Sequence, residues 1–128
     1  MSSEMQILVW AISLGLLHLL ATVPPMIAAH GIGYVFSSRE EQKTLGGGAA
    51  RLQRAWANFM QTFPFFAAVV LMAQLCGLHN GLTVLGAQLY LGGRLIYLPV
   101  YLAGIPVLRT LAWLVSVAGI VLVLVGMG

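Results

Sequence analysis

Long apolar runs fill most of this sequence, and polar positions are confined to a few places between and within them. A membrane-spanning helix needs about 20 mostly apolar residues. The first such run covers residues 5–29. Pro24-Pro25 near its end predicts a kink, or an early end with a re-entrant turn, because proline lacks the N–H that the helix ladder needs. A polar stretch follows over residues 31–50, with Ser37, Ser38, Arg39, Glu40, Glu41, Lys43 and Gly46-Gly47-Gly48. The second run covers 49–75, a short turn follows over 77–81, and the third run covers 82–103. Gly104-Ile105-Pro106 breaks the third, and Pro106 suits the first turn of a fourth helix over 106–127. Short connections make helices two, three and four antiparallel neighbours. The pattern predicts an all-α membrane protein: one domain over residues 1–128, built as a four-transmembrane-helix antiparallel bundle with no internal repeat.

Composition supports lipid as the main solvent. Hydrophobic residues make up 60% of the chain and charged residues 7%, whereas a soluble domain carries about 25% charged residues to face water. The net charge is +3, from six Lys/Arg against three Asp/Glu. These cations are too few and too scattered for a nucleic-acid surface. An orientation signal and an internal anion site explain them better. Cys76 stands alone, forms no intrachain disulfide and reads as a small packing residue. The N-terminal Met-Ser-Ser-Glu-Met lacks the basic region of a signal peptide, so the first apolar run is expected to be retained. His18, His30 and His79 lie on different segments without ligand spacing, and no metal site is expected. The glycine triplet lacks the Lys-Ser/Thr of a phosphate loop, and no serine has a His and Asp partner at membrane depth.

Arg39, Lys43, Arg51 and Arg54 lie in or beside the first loop, and Arg109 follows the third. Basic residues favour the cytoplasmic side. The first and third loops are therefore expected in the cytoplasm. The N-terminus with Glu4, the His79 turn and the C-terminus belong on the other side.

Two polar stripes interrupt the apolar helices. Arg51, Arg54, Asn58, Gln61 and Thr62 fall within a band roughly 100° wide on the second helix. Arg51 lies near the helix end, where snorkelling to the interface is an alternative role. Asn58 and Gln61 lie roughly 10–15 Å deeper than Arg51 and must face protein or a wet cavity; hydrogen bonding between helices is the alternative there. On the third helix Tyr90, Arg94, Tyr97 and Tyr101 share one face within about 60°. Arg94 sits near mid-helix, where a lone guanidinium is costly. Glu4, Glu40 and Glu41 are the acidic residues of the chain, and all three are expected outside the helices. The membrane interior thus holds cations without carboxylates. An anionic ligand with carboxylates answers that imbalance, because guanidinium forks match carboxylates. Two polar faces in so small a bundle suggest a site shared between subunits.

The segment Arg54-Ala-Trp-Ala-Asn58-Phe-Met-Gln61-Thr-Phe-Pro64 resembles the second-helix signature of the MAPEG family, the membrane-associated proteins of eicosanoid and glutathione metabolism. Leu89-Tyr90-Leu-Gly-Gly-Arg94-Leu-Ile-Tyr97-Leu-Pro-Val-Tyr101 resembles its third-helix signature. Arg109-Thr-Leu-Ala-Trp113 is similar to the start of the fourth helix in bacterial members. The resemblance implies a homotrimer with glutathione bound between subunits near the cytoplasmic side. It implies glutathione-binding roles for Arg51, Arg54, Asn58, Gln61, Arg94, Tyr97 and Tyr101. Arg109 resembles the arginine proposed to stabilise the glutathione thiolate, which makes it the candidate catalytic residue. Gln61 departs from the family pattern, since catalytic members carry Glu there; an amide cannot pair with an ammonium group. Trp56, off the polar stripe, reads as packing.

The resemblance implies a glutathione-dependent transferase or peroxidase, joining the glutathione thiolate to lipophilic electrophiles that enter from the bilayer. The alternative is a non-catalytic lipid or fatty-acid binding protein, which Gln61 favours. A proton-coupled transporter ranks last, because it needs an intramembrane carboxylate. A bacterial inner membrane is the expected location, on the character of the motifs.

Overall fold

The computed structural model describes residues 1–38 and 46–128. Arg39, Glu40, Glu41 and Lys43 of the first loop lie outside the described residues. Six helices are present among the described residues: α1 (Ser3–Ala21), α2 (Val23–His30), α3 (Ile32–Phe36), α4 (Gly47–Leu75), α5 (Gly81–Ala103) and α6 (Pro106–Met127). No strand occurs among the described residues.

The first apolar run divides in two. Pro24 and Pro25 have no N–H to give to the carbonyls of Leu20 and Ala21, so the α1 ladder stops at Ala21. Thr22 closes α1, its hydroxyl donating to the Leu19 carbonyl at 2.6 Å. The chain then re-enters α2 with the prolines in its first turn, where missing N–H groups cost nothing. At the other end of α1, the Ser2 hydroxyl caps the helix by accepting from the Met5 N–H.

Glu4 corrects the expectation that all the acids lie outside the helices. It stands in the first turn of α1, is only 2% exposed, and pairs with His79 Nδ1 in the α4–α5 turn. A helix N-terminus favours a carboxylate through its unpaired N–H groups. The pair therefore ties the start of α1 to the far turn of the bundle. Ser2 adds to the tie by donating to Gln74 Oε1 at 2.9 Å. Asn80 finishes this end. Its Oδ1 accepts from the N–H groups of Leu82 and Thr83 while Thr83 Oγ1 returns a bond to its N–H, a capping box that starts α5. The same side chain donates to the Gly126 carbonyl of α6 at 2.7 Å.

Small residues govern how α5 meets α6. Gly86 and Gly93 of α5 face Ala112, Ser116 and Gly119 of α6 so closely that an added Cβ at Gly93 would lie 2.9 Å from the Ala112 carbonyl oxygen. Close backbone approach through small residues is how helices pack where lipid removes the usual hydrophobic drive. Gly104 takes a left-handed turn (φ 77°) that ends α5, and Pro106 restarts the chain as α6. The core is built on Phe66 stacked against Tyr90, ring centroids 4.0 Å apart, with Ile7, Leu8, Val70, Ala87 and Val123 around them. Thr62 shares a hydrogen bond of 3.1 Å with the Tyr90 hydroxyl. His18 fixes α1 on α4 through a contact of 3.1 Å between Nε2 and the Leu52 carbonyl, with its ring edge-on to Trp56.

The outside is apolar. Leu17, Leu20, Phe65, Ile96, Val107 and Leu124 are all exposed on it. Soluble monomers avoid contiguous apolar surface on this scale, so these faces belong in lipid. Among the described residues three stretches are long and apolar enough to cross a membrane: Ser3–His30, Gly47–Leu75 and Pro106–Met127. Helix α5 has the length, but Gln88, Arg94 and its three tyrosines lower its hydropathy.

The glycine contacts give opposite expectations for neighbouring positions. Gly93→Ala should destabilise the detergent-purified protein by about 1–3 kcal/mol through overpacking. Gly92→Ala meets nothing within 4 Å and should be neutral or stabilising by up to about 1 kcal/mol through helix propensity. Thermal unfolding of the two variants side by side reads both signs.

Candidate functional site

The polar stripe of α4 faces the ends of α5 and α6 that meet at Gly104. A cavity of about 400 Å³ opens between them. Helix α4 contributes Arg54, Ala57, Asn58 and Gln61, α5 contributes Tyr97 and Tyr101, and α6 contributes Arg109, Thr110 and Trp113. Six of the residues singled out in the sequence therefore line one space.

Tyr101 organises its mouth. The Tyr101 hydroxyl accepts from Arg54 Nε at 2.9 Å, and the Arg109 guanidinium lies 5.1 Å from its ring centroid. The ring thus stands between two cations, one on its hydroxyl and one on its face. Tyr97 lies beside it, ring centroids 5.5 Å apart.

Arg94 does not line the cavity. It is 2% exposed and lies beneath it. Its Nη1 donates to Asn58 Oδ1 at 2.7 Å, while its guanidinium carbon lies 4.1 Å from the Tyr97 ring centroid and 5.5 Å from that of Phe59. A charged donor on an amide oxygen makes a short, strong bond. Two aromatic faces supply the rest of the electrostatic support. Its Nε is buried with no partner, and no carboxylate among the described residues meets it.

Arg51 lies beside the main cavity. It lines an adjoining space of about 200 Å³ with Arg54, Tyr101, Arg109 and the α5–α6 loop. Its Nη1 donates to the Leu102 carbonyl at 3.3 Å, which puts a cation at the C-terminus of α5, where the helix dipole favours one. The guanidinium packs on Gly104, where an added Cβ would come within 3.4 Å of Arg51 Cζ.

Gln61 and Trp113 form a border. Both line the polar cavity, and both line a second cleft of about 250 Å³ with Thr62, Phe65, Val117, Ile120 and Val121. That cleft is almost wholly apolar, so polar and apolar spaces meet at these two side chains.

The sequence reading left Thr110 and Trp113 out of the site. Trp113 follows Arg109 by four residues, so both share a face of α6, and that spacing was the available signal. Among the described residues no group of His, Cys, Asp or Glu is arranged to hold a metal.

Chemically, the arrangement is a cationic cavity, able to take an anion, with an apolar neighbour. Two guanidiniums line it, a third adjoins it and a fourth supports its floor. Its volume falls in the range of small-molecule sites. A small anion with carboxylates suits that donor set.

The buried bond at its floor carries an expectation. Asn58→Leu strips the Arg94 guanidinium of its one side-chain acceptor and should cost about 1.5–3 kcal/mol. Asn58→Asp keeps an acceptor there and should be markedly milder. Denaturation of both variants in the same detergent checks the order.

In comparison with known families, the MAPEG family matches over residues 7–128. Comparison with curated proteins gives no match.

Proposed function

The chain belongs to the MAPEG family of membrane proteins in eicosanoid and glutathione metabolism, and from that premise we propose that it is a membrane-bound glutathione-dependent transferase or peroxidase acting on lipophilic electrophiles. The observation that carries this reading is the cavity that joins Arg54, Asn58, Tyr97, Tyr101 and Arg109 with no carboxylate among its lining residues. Members of the family generally use glutathione as substrate or cofactor.

When bound, glutathione supplies a thiolate nucleophile. The residues divide the remaining work. Arg54, with Arg51 in the adjoining space, pairs with ligand carboxylates, and Asn58 and Tyr101 donate hydrogen bonds to the ligand's polar groups. Arg94 holds Asn58 from below. Arg109 places a positive charge beside the sulfur, which favours the thiolate at neutral pH. Gln61 and Trp113 stand where the apolar cleft opens, the route for an electrophile from the bilayer.

In this reading all four long helices cross the membrane, with the first and third loops in the cytoplasm of a bacterial inner membrane. The protein is a homotrimer with the site between subunits. Arg54 and Gln61 are exposed on the single chain, and polar groups at such depth need protein cover. A neighbouring subunit supplies it.

A second reading, a non-catalytic lipid-binding protein, is favoured by one observation. Gln61 is an amide where catalytic relatives carry an acid, and it borders the apolar cleft.

Conjugation of glutathione to a generic electrophile by purified protein separates the two. The enzyme reading expects turnover, with a loss of about 10²-fold or more in kcat for Arg109→Ala, the usual effect of removing a group that stabilises developing charge. It also expects Gln61→Glu to raise activity. No turnover together with no glutathione binding at millimolar concentration rejects it.

A further inference from the structure

Among the described residues, every ionisable side chain around the cavity, other than its tyrosines, is a cation. Arg54 and Arg109 line it, Arg51 adjoins it, and Arg94 lies under Asn58. The one acid among the described residues, Glu4, is at the opposite end of the bundle and is paired with His79. An ammonium group entering this space meets like charge and no counter-charge among the described residues.

The neutral groups add to the bias. A guanidinium has donors only, so the Asn58 amide must turn its oxygen to Arg94 and keep its NH₂ for other partners. The Tyr101 hydroxyl already accepts from Arg54 and is left with its proton to give. Thr110 donates its own proton to the Pro106 carbonyl at 3.1 Å. Thr110 Oγ1, Gln61 Oε1 and the Tyr97 hydroxyl are the acceptors that remain, and all three are uncharged. The charged groups of the lining are therefore all donors, and its acceptors are all neutral.

We infer that this site recognises the carboxylates of its ligand and does not read the ligand's amino group, so that its ligand class is thiols bearing two carboxylates, with or without an ammonium. The inference rests on the glutathione reading above and sharpens it. Specificity follows from what a site leaves unpaired as much as from what it binds, and here no carboxylate among the described residues waits for an amino group.

Equilibrium binding to the full-length protein in detergent, at fixed ionic strength, tests it with three ligands. They are glutathione, glutaryl-cysteinylglycine (the same skeleton without the amino group) and glutathione diethyl ester. The expected result is that the glutaryl analogue binds at least as tightly as glutathione, because it brings both carboxylates without the repelled ammonium, and that the ester binds at least about tenfold more weakly. Gln61→Glu should introduce a preference of about tenfold or more for the amino-bearing form, because a carboxylate there gives the ammonium a partner. Wild-type protein that binds glutathione tenfold or more tightly than the glutaryl analogue overturns this inference and leaves the glutathione reading standing. An ester that binds as well as glutathione overturns it too. Protein that binds none of the three overturns both.

Discussion

The structure turns on a guanidinium buried within a helix bundle whose described residues offer it no carboxylate. Arginine stays protonated in proteins, and its charge at the centre of a bilayer costs at least about 2.5–3.5 kcal/mol. The chain answers with an amide and two aromatic faces. Arg94 of α5 donates to Asn58 of α4 and lies against Tyr97 and Phe59. One contact therefore fixes the spacing of α4 and α5, orients the Asn58 amide, and leaves a positive field beneath the cavity. Replacing the amide by a carboxylate would neutralise that field. The neutral partner keeps the floor of the site available to anions.

The rest of the fold delivers other cations to the same place. Gly86, Gly93 and Gly119 let α5 and α6 approach backbone to backbone. The left-handed turn at Gly104 and the restart at Pro106 then set Arg109 one turn into α6, over the face of Tyr101. Arg51 seals the same corner by bonding to the end of α5. At the far end, the Glu4–His79 pair and the Asn80 cap tie the helix ends together without placing an acid near the site. Charge is thus sorted along the bundle, with the described acid at one end and the arginines at the other.

Much of the site was legible in the sequence. Angular position follows directly from spacing, so the stripes over Arg54, Asn58 and Gln61 and over Tyr97 and Tyr101 identified faces that do converge on one cavity. The family resemblance rested on the same residues, and the match over residues 7–128 agrees with it. Depth and partner choice were not legible. Spacing alone does not tell that Arg94 points beneath the cavity while Tyr97, three residues on, lines it. Nor does it tell that Glu4 is inside a helix and buried, because its partner His79 is 75 positions away. The break at Thr22 was open between a kink and an early end, since the proline pair removes two ladder bonds without dictating how the chain resumes. Thr110 and Trp113 carry no charge in a mostly apolar helix, so their spacing from Arg109 is the one sign of their place in the site.

The central claim is that uncompensated guanidiniums make the cavity a receptor for carboxylates. Thermal unfolding of the purified protein against rising concentrations of glutarate, a dicarboxylate with no thiol and no amine, tests it most directly, with sodium chloride at matched ionic strength as the reference. A ligand that binds only the folded state stabilises it by about 1.4 kcal/mol at ten times its dissociation constant. The account predicts a saturable rise in melting temperature with glutarate beyond that with chloride, lost when Arg54 and Arg109 are both changed to Gln. Superimposable curves for glutarate and chloride would contradict it.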